Sequence, residues 1–233
     1  MTSMPAFAGL PNDYFKFFRE LRENNNREWF NDNKDRFRSS VQEPLASFVE
    51  AMAPRLKKIS KHVVADPRLN GGSVFRIYKD VRFSKDKSPY KTHGAVQFRH
   101  ALGKDAHAPG FYVHLAPDEI FYGGGMWLPP APSLAAVRAA IRDKSPAWKK
   151  ATAGAAFTKR FGGVGGDALS RPPRGFDADH PMIEDIKRKS FFAMAEGKIT
   201  AAKKPQFVDD VAAAFADAAP MMKFLCDATG APF

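Results

Sequence analysis

Cysteine occurs once in these 233 residues. A single thiol, Cys226, excludes an internal disulfide, and nothing points to an oxidising compartment. No apolar run approaches the roughly 20 residues that a membrane-spanning helix needs. The first eleven residues carry neither a basic segment nor a long apolar stretch of the kind that directs secretion. The expectation is a cytoplasmic protein with no membrane partner. Histidine is sparse, and His62, His93, His100, His107, His114 and His180 lack the local pairwise spacing of a zinc site. The best set would combine His93 and His114 with Asp80 or Asp86, where surrounding positive charge repels a cation, so no metal is expected. Gly162-Gly163-Val164-Gly165-Gly166 has neither phosphate-loop nor dinucleotide spacing. No serine sits in a nucleophile-elbow context, and no cofactor is expected. Acidic residues are outnumbered, 25 against 36 Lys and Arg, giving a net charge of +11. That balance favours anionic partners.

Aromatic residues are plentiful, with 21 Phe, enough for a sizeable core. The spacing of Tyr14, Phe17, Phe18 and Leu21 predicts a helix over 13–23 with Asn12 or Asp13 as its cap. Asn26 is placed to cap the next helix. An apolar stripe then runs from Phe30 to Ile59 at steps of three, four and seven. Pro44 should kink or split it near Ser40, because proline removes a backbone donor and crowds the preceding turn. Beyond Gly71-Gly72 the period becomes two. Strands are expected over 73–78, 95–100, 110–116 and 119–128, the last interrupted by Gly123-Gly124-Gly125. Matching apolar faces sets Val96 opposite Val113, Gln97 opposite Tyr112 and Phe98 opposite Phe111. Helices are expected over 132–143, from Ser145-Pro146 to Lys150, over 181–196, and from Pro205 to about Ala218, with a short edge strand over 199–202. Residues 162–175 read as a loop. Two of the three tryptophans lie inside apolar patterns, which favours core packing. The order is helices, strands, helices, without linker or second core. This predicts one α+β domain over 1–233, with an antiparallel sheet of four or five strands packed against several helices.

The densest chemistry lies in residues 76–91, Arg76-Ile-Tyr-Lys79-Asp80-Val-Arg82-Phe83-Ser-Lys85-Asp86-Lys87-Ser-Pro89-Tyr90-Lys91. Six of these sixteen are Lys or Arg and two are acidic. The charges alternate with Ile77, Tyr78, Val81 and Phe83, which need burial, so the array is expected to be held in shape. A fixed set of guanidinium and ammonium groups is a receptor for phosphate or carboxylate. Arg76 and Arg82 are expected to clamp an anion in one cavity, Lys79 and Lys87 to add charge, and Tyr90 to donate a hydrogen bond from the rim. Phe83 is expected to fold back to the core. In the catalytic alternative, Asp80, Asp86, Tyr90 and His93 are acid–base groups acting on an anionic small molecule. A nucleic-acid partner is the other alternative. A purely structural ion-pair network would leave the same residues without a ligand.

The same stretch resembles the signature of the domain of unknown function 2461 family. Asn26-Arg27-Glu28-Trp29-Phe30, Pro109-Gly110-Phe111-Tyr112, Gly124-Gly125-Met126-Trp127-Leu128-Pro129 and His180-Pro181-Met182 fall in the order that family shows. One departure is Lys79, where the family pattern has Arg. The resemblance covers nearly the whole chain. The family has no established activity, so the likeness implies fold boundaries and a role for the signature, and supplies no reaction.

Overall fold

The computed structural model describes residues 6–102 and 109–233; His107 lies outside them. Helix α1, Asn12–Glu23, buries Tyr14, Phe15, Phe17, Phe18 and Leu21. Its start lacks a side-chain cap. Asp13 instead serves in the first turn, where Arg36 and Ser40 bond it and hold its carboxyl down at about 2. Asn26 caps α2, Arg27–Asp32, by accepting from the Trp29 amide at 2.9 Å. The long stripe is split as proline demands: α3, Lys34–Phe37, passes through a π-helical turn, Arg38–Gln42, into α4, Glu43–Ile59. The turn falls where Pro44 offers no donor to Ser40. Pro54 leaves α4 continuous.

The sheet is antiparallel, in the order β1 (Val63–Val64), β2 (Gly94–His100), β3 (Gly110–Leu115), β4 (Ile120–Met126), β5 (Phe191–Glu196). The β2–β3 register is the one that the apolar pattern predicts, with Val96 opposite Val113, Gln97 opposite Tyr112 and Phe98 opposite Phe111. After β4 come α5 (Ala131–Asp143), α6 (Ser145–Thr152), α7 (Ala155–Phe161), α8 (Ile183–Ile186), then β5, α9 (Ile199–Ala202) and α10 (Phe207–Ala228).

Four expected elements differ in the structure. Residues 73–78 form no strand; they make single bridges, Val74 to Val96 and Tyr78 to Tyr90. The alternation breaks accordingly: Phe75 turns to the open side of the sheet against Tyr112, while Ile77 joins the helix-side core. Residues 191–196 are strand rather than helix. Phe-Phe-Ala-Met-Ala-Glu is too short for periodicity to decide, and pairing with β4 satisfies that strand's outer edge. Residues 199–202 are helix rather than edge strand. α10 runs through Pro220, because Met221, Met222, Leu225 and Cys226 beyond it are all buried and offset the lost backbone bond.

Helices cover one face of the sheet. Phe98 and Phe111 meet Phe215 of α10 at ring separations of 5.9 and 4.4 Å, and Tyr122 meets Phe207 at 5.8 Å. α10 lies close because Gly124 has no side chain; a Cβ there would stand 2.7 Å from the Phe111 ring and 2.9 Å from Met222 Sδ. Buried residues fall into two clusters rather than one. The larger joins α1, α4, the sheet and the start of α10. The smaller gathers Met126, Val137, Ile141, Trp148, Phe191 and Leu225 around the far half of α10.

Candidate functional site

The basic stretch leaves the sheet edge as a loop closed at its base by the Tyr78–Tyr90 bridge and a Lys79 N–H bond to Pro89 O at 2.9 Å. Its charges are largely satisfied within it. The Arg82 guanidinium donates to Asp80 at 2.8 and 3.0 Å and holds that carboxyl down at about 2. Lys79 pairs with Asp86, whose carboxylate also accepts from the Ser88 N–H and hydroxyl. These bonds hold the Asp86 carboxyl far below its ordinary value. Lys87 donates to Val81 O at 3.0 Å. Tyr90 does not stand at a rim. Its ring is buried and stacks on Phe30 at 4.1 Å, and burial raises its phenol above the usual value. Phe83 does not return to the core; it is 96% exposed.

Arg76 and Arg82 part company. Arg82 stays on the exposed loop, whereas Arg76 lines a narrow crevice with Phe75, Lys91 and His93. Lys91 donates to Arg76 O at 2.9 Å, and its ammonium lies 5.4 Å from the centre of the Phe75 ring. Burial first, then the Arg76 charge, pushes the Lys91 ammonium below its ordinary value. Among the described residues neither the Arg76 guanidinium nor the Lys91 ammonium has a carboxylate within ion-pair distance. Arg99 reaches the same ring from β2, at 5.9 Å.

Phe75 is one wall of the feature that sequence reasoning missed. On the face away from the helices, the register lays side chains in three cross-strand rows. The first is Arg99, Gly110, Gly125, Phe192; the second Gln97, Tyr112, Gly123, Met194; the third Ala95, His114, Phe121, Glu196. Gly110 and Gly125 face each other directly, so the first two rows have a backbone floor between large side chains. The result is a cleft of about 540 Å³ lined by Phe75, Gln97, Tyr112, Phe121, Trp127, Phe192 and Met194. Substituting either glycine fills the floor and strains it: a Cβ on Gly125, whose φ is +153°, would sit 2.2 Å from Phe191 O. Trp127 stands 57% exposed at the mouth with its ring 5.4 Å from Phe192. The next residue, Leu128, takes a left-handed φ of +42°, and its N–H is held by the Ser190 hydroxyl at 2.9 Å. A non-glycine residue there costs free energy and fixes the direction in which the chain leaves β4.

One end of this face carries titratable groups. His114 stacks on Phe121 at 4.5 Å, meets the His93 ring at 4.2 Å, and shares a hydrogen bond with the Tyr112 hydroxyl at 3.2 Å. Burial, then His114 and Lys91, holds the His93 imidazole down at about 4. Burial also lowers His114 and raises the Tyr112 phenol to about 12. All three are therefore uncharged at neutral pH. Asp80 and Asp86 are engaged with Arg82 and Lys79, and the described residues contain no group of three metal-ligating side chains. Cys226 is buried, its thiol pushed up to about 12, which makes it a poor nucleophile. A separate concavity of about 510 Å³ between α4 and the start of α10 is lined by Glu50, Arg55 and Asp209. Arg55 and Asp209 bond each other across it at 2.8 Å.

The architecture defines an α+β protein whose antiparallel sheet is covered by helices on one face and carries an aromatic cleft on the other. The model of the family described as conserved hypothetical protein (DUF2461) matches residues 13–224, and the chain belongs to that family. No curated protein and no solved structure matches it.

Proposed function

We propose that the protein binds a small, flat, anionic molecule, with the ring system of the ligand in the cleft and its phosphate, sulfonate or carboxylate against Arg76, Lys91 and Arg99. One observation carries this reading: an aromatic-walled cleft with a glycine floor ends on a ring, Phe75, over which Lys91 and Arg99 are gathered. Apolar walls with a few convergent polar groups are the usual make-up of a small-molecule site. The Arg76 charge adds to burial in lowering the Lys91 ammonium, and a bound anion relieves that repulsion. Arg76 and Lys91 belong to the basic signature, so the anion role expected of that stretch is assigned to its two ends. Lys79, Arg82 and Lys87 brace the loop between them.

Catalysis by Asp80, Asp86, Tyr90 and His93 is the less economical reading. The two carboxylates are engaged with cations on the exposed loop, Tyr90 is packed on Phe30, and only His93 faces the sheet. Calorimetry with naphthalene-2-sulfonate, and with neutral 2-naphthol as control, tests the binding reading. The sulfonate should bind more tightly than the naphthol. Lys91→Met should remove most of that preference, and Trp127→Ala should weaken both ligands. Equal affinity of the wild-type protein for the two compounds, or none for either, would defeat it.

A further inference from the structure

The loop tip has a feature that the cleft does not explain. Phe83 is the most exposed of the large apolar side chains described, at 96%. It is not exposed for want of order around it. An Asp80 carboxylate oxygen accepts the Arg82 N–H at 3.2 Å, Ser84 N–H donates to Val81 O at 3.3 Å, and Lys87 ties down the same carbonyl. With Lys79 on Asp86 and Arg82 on Asp80, the loop holds its own shape and presents the ring outward. The Arg82 guanidinium lies over the Phe83 ring at 5.9 Å, so one face of the ring is flanked by a cation and the other is open. Lys85, beside it, makes no hydrogen bond or ion pair among the described residues. Residues 79–89 hold four basic and two acidic side chains, in a chain of net charge +11.

An exposed ring among cations fits a partner that offers both a flat apolar face and negative charge. A membrane surface supplies the charge. A single phenyl group, however, adds only about ten- to a hundredfold to an association constant, and stable anchoring takes more than one such signal. An unpaired nucleobase needs only one open ring face to stack, and its phosphates reach the flanking cations. A duplex hides its base faces and fits the loop less well.

We infer that loop 79–89 is a contact element for single-stranded nucleic acid. Phe83 stacks on a base, and Lys85, with the donors of Arg82 that its bonds to Asp80 leave over, faces the backbone phosphates. This rests on observations separate from the cleft, and its failure leaves the small-anion reading untouched.

Fluorescence anisotropy of labelled 15-mers of dT and rU, a duplex of the same length, and vesicles containing anionic lipid provide the test. The single strands should bind at 50 mM salt and dissociate as salt rises. Phe83→Ala should weaken them by about five- to a hundredfold with no change in melting temperature, since the ring touches little of the fold. Phe83→Trp should restore binding, and its emission should be quenched by the strand. Lys85→Gln should lower the affinity and flatten the salt dependence. The inference is overturned if the strands do not bind at 50 mM salt, or if Phe83→Ala binds them as well as the wild type. It is equally overturned if Phe83 proves to be needed for vesicles and not for strands.

Discussion

The two faces of the sheet come from the same strands, yet they spend their residues differently. On the helix side Phe98, Phe111, Val113 and Leu115 are fully buried and meet α1, α4 and α10. On the open side the same strands carry Gln97, Tyr112, His114, Phe121 and Met194, with glycines between them. The covered face stabilises the fold by filling space. The open face leaves space unfilled and sets polar and charged groups around it, an arrangement that stability alone does not call for. The contrast makes a first and largest prediction. Phe215→Ala removes a buried ring that touches both Phe98 and Phe111 and should cost about 3–5 kcal/mol. Phe192→Ala, on the open face, should cost about 1 kcal/mol, because its ring is only half buried. Urea titration of both variants checks the difference. Equal losses would mean that the open face is a second core rather than a site.

The titratable end of the open face gives the second prediction. The His93 imidazole is held at about 4 against an ordinary 6.5. Its neighbours are His114 and Lys91, and Glu119 stands 3.9 Å from His114. Between those two values the unfolded chain holds a proton that the folded chain does not, so stability should rise with pH across this window. It is fully present above about 6.5 and is lost as pH falls towards 4. The His114 shift has the same sign. The upper bound for His93 alone is about 3 kcal/mol. Thermal melts from pH 4 to pH 8 should show the slope, and His93→Gln should flatten most of it. A melting curve unaffected by that substitution would remove burial as the cause.

Where the residues themselves settle the local structure, the sequence was enough to read it. Period-two alternation in 95–100 and 110–116 set the strand register, because a slip of one residue would have turned Phe98 outward. Pro44 located the break between α3 and α4. What the sequence concealed depends on partners distant in the chain. Phe191–Glu196 is strand because β4 offers an edge, and no periodicity in six residues reveals that. The cleft arises from Gly110 lying opposite Gly125 and from Phe75 crossing the sheet edge, and each needs the register before it means anything. The signature was legible as chemistry and misleading as geometry. Acids at positions 80 and 86 neutralise neighbouring cations within the loop, so charge density alone did not locate the cavity.

The smallest expected effect separates the loop from the cleft. Arg82 is bonded to Asp80, and both side chains lie more than half exposed, at 77% and 55%. Exposed pairs of this kind gain little, since water screens them and two mobile side chains must be ordered to form them. Arg82→Ala should therefore leave the melting temperature unchanged at neutral pH. It should also leave the affinity for naphthalene-2-sulfonate unchanged, because the cations proposed for the cleft are Arg76, Lys91 and Arg99. It should lower the affinity for an unpaired strand by less than Phe83→Ala does, because one of several phosphate contacts is lost while the stacking ring remains. Calorimetry and anisotropy on the same preparation give all three values. Loss of sulfonate binding in this variant would join loop and cleft into one site and return Arg82 to the role of clamp beside Arg76. A large drop in melting temperature would make the loop a structural brace.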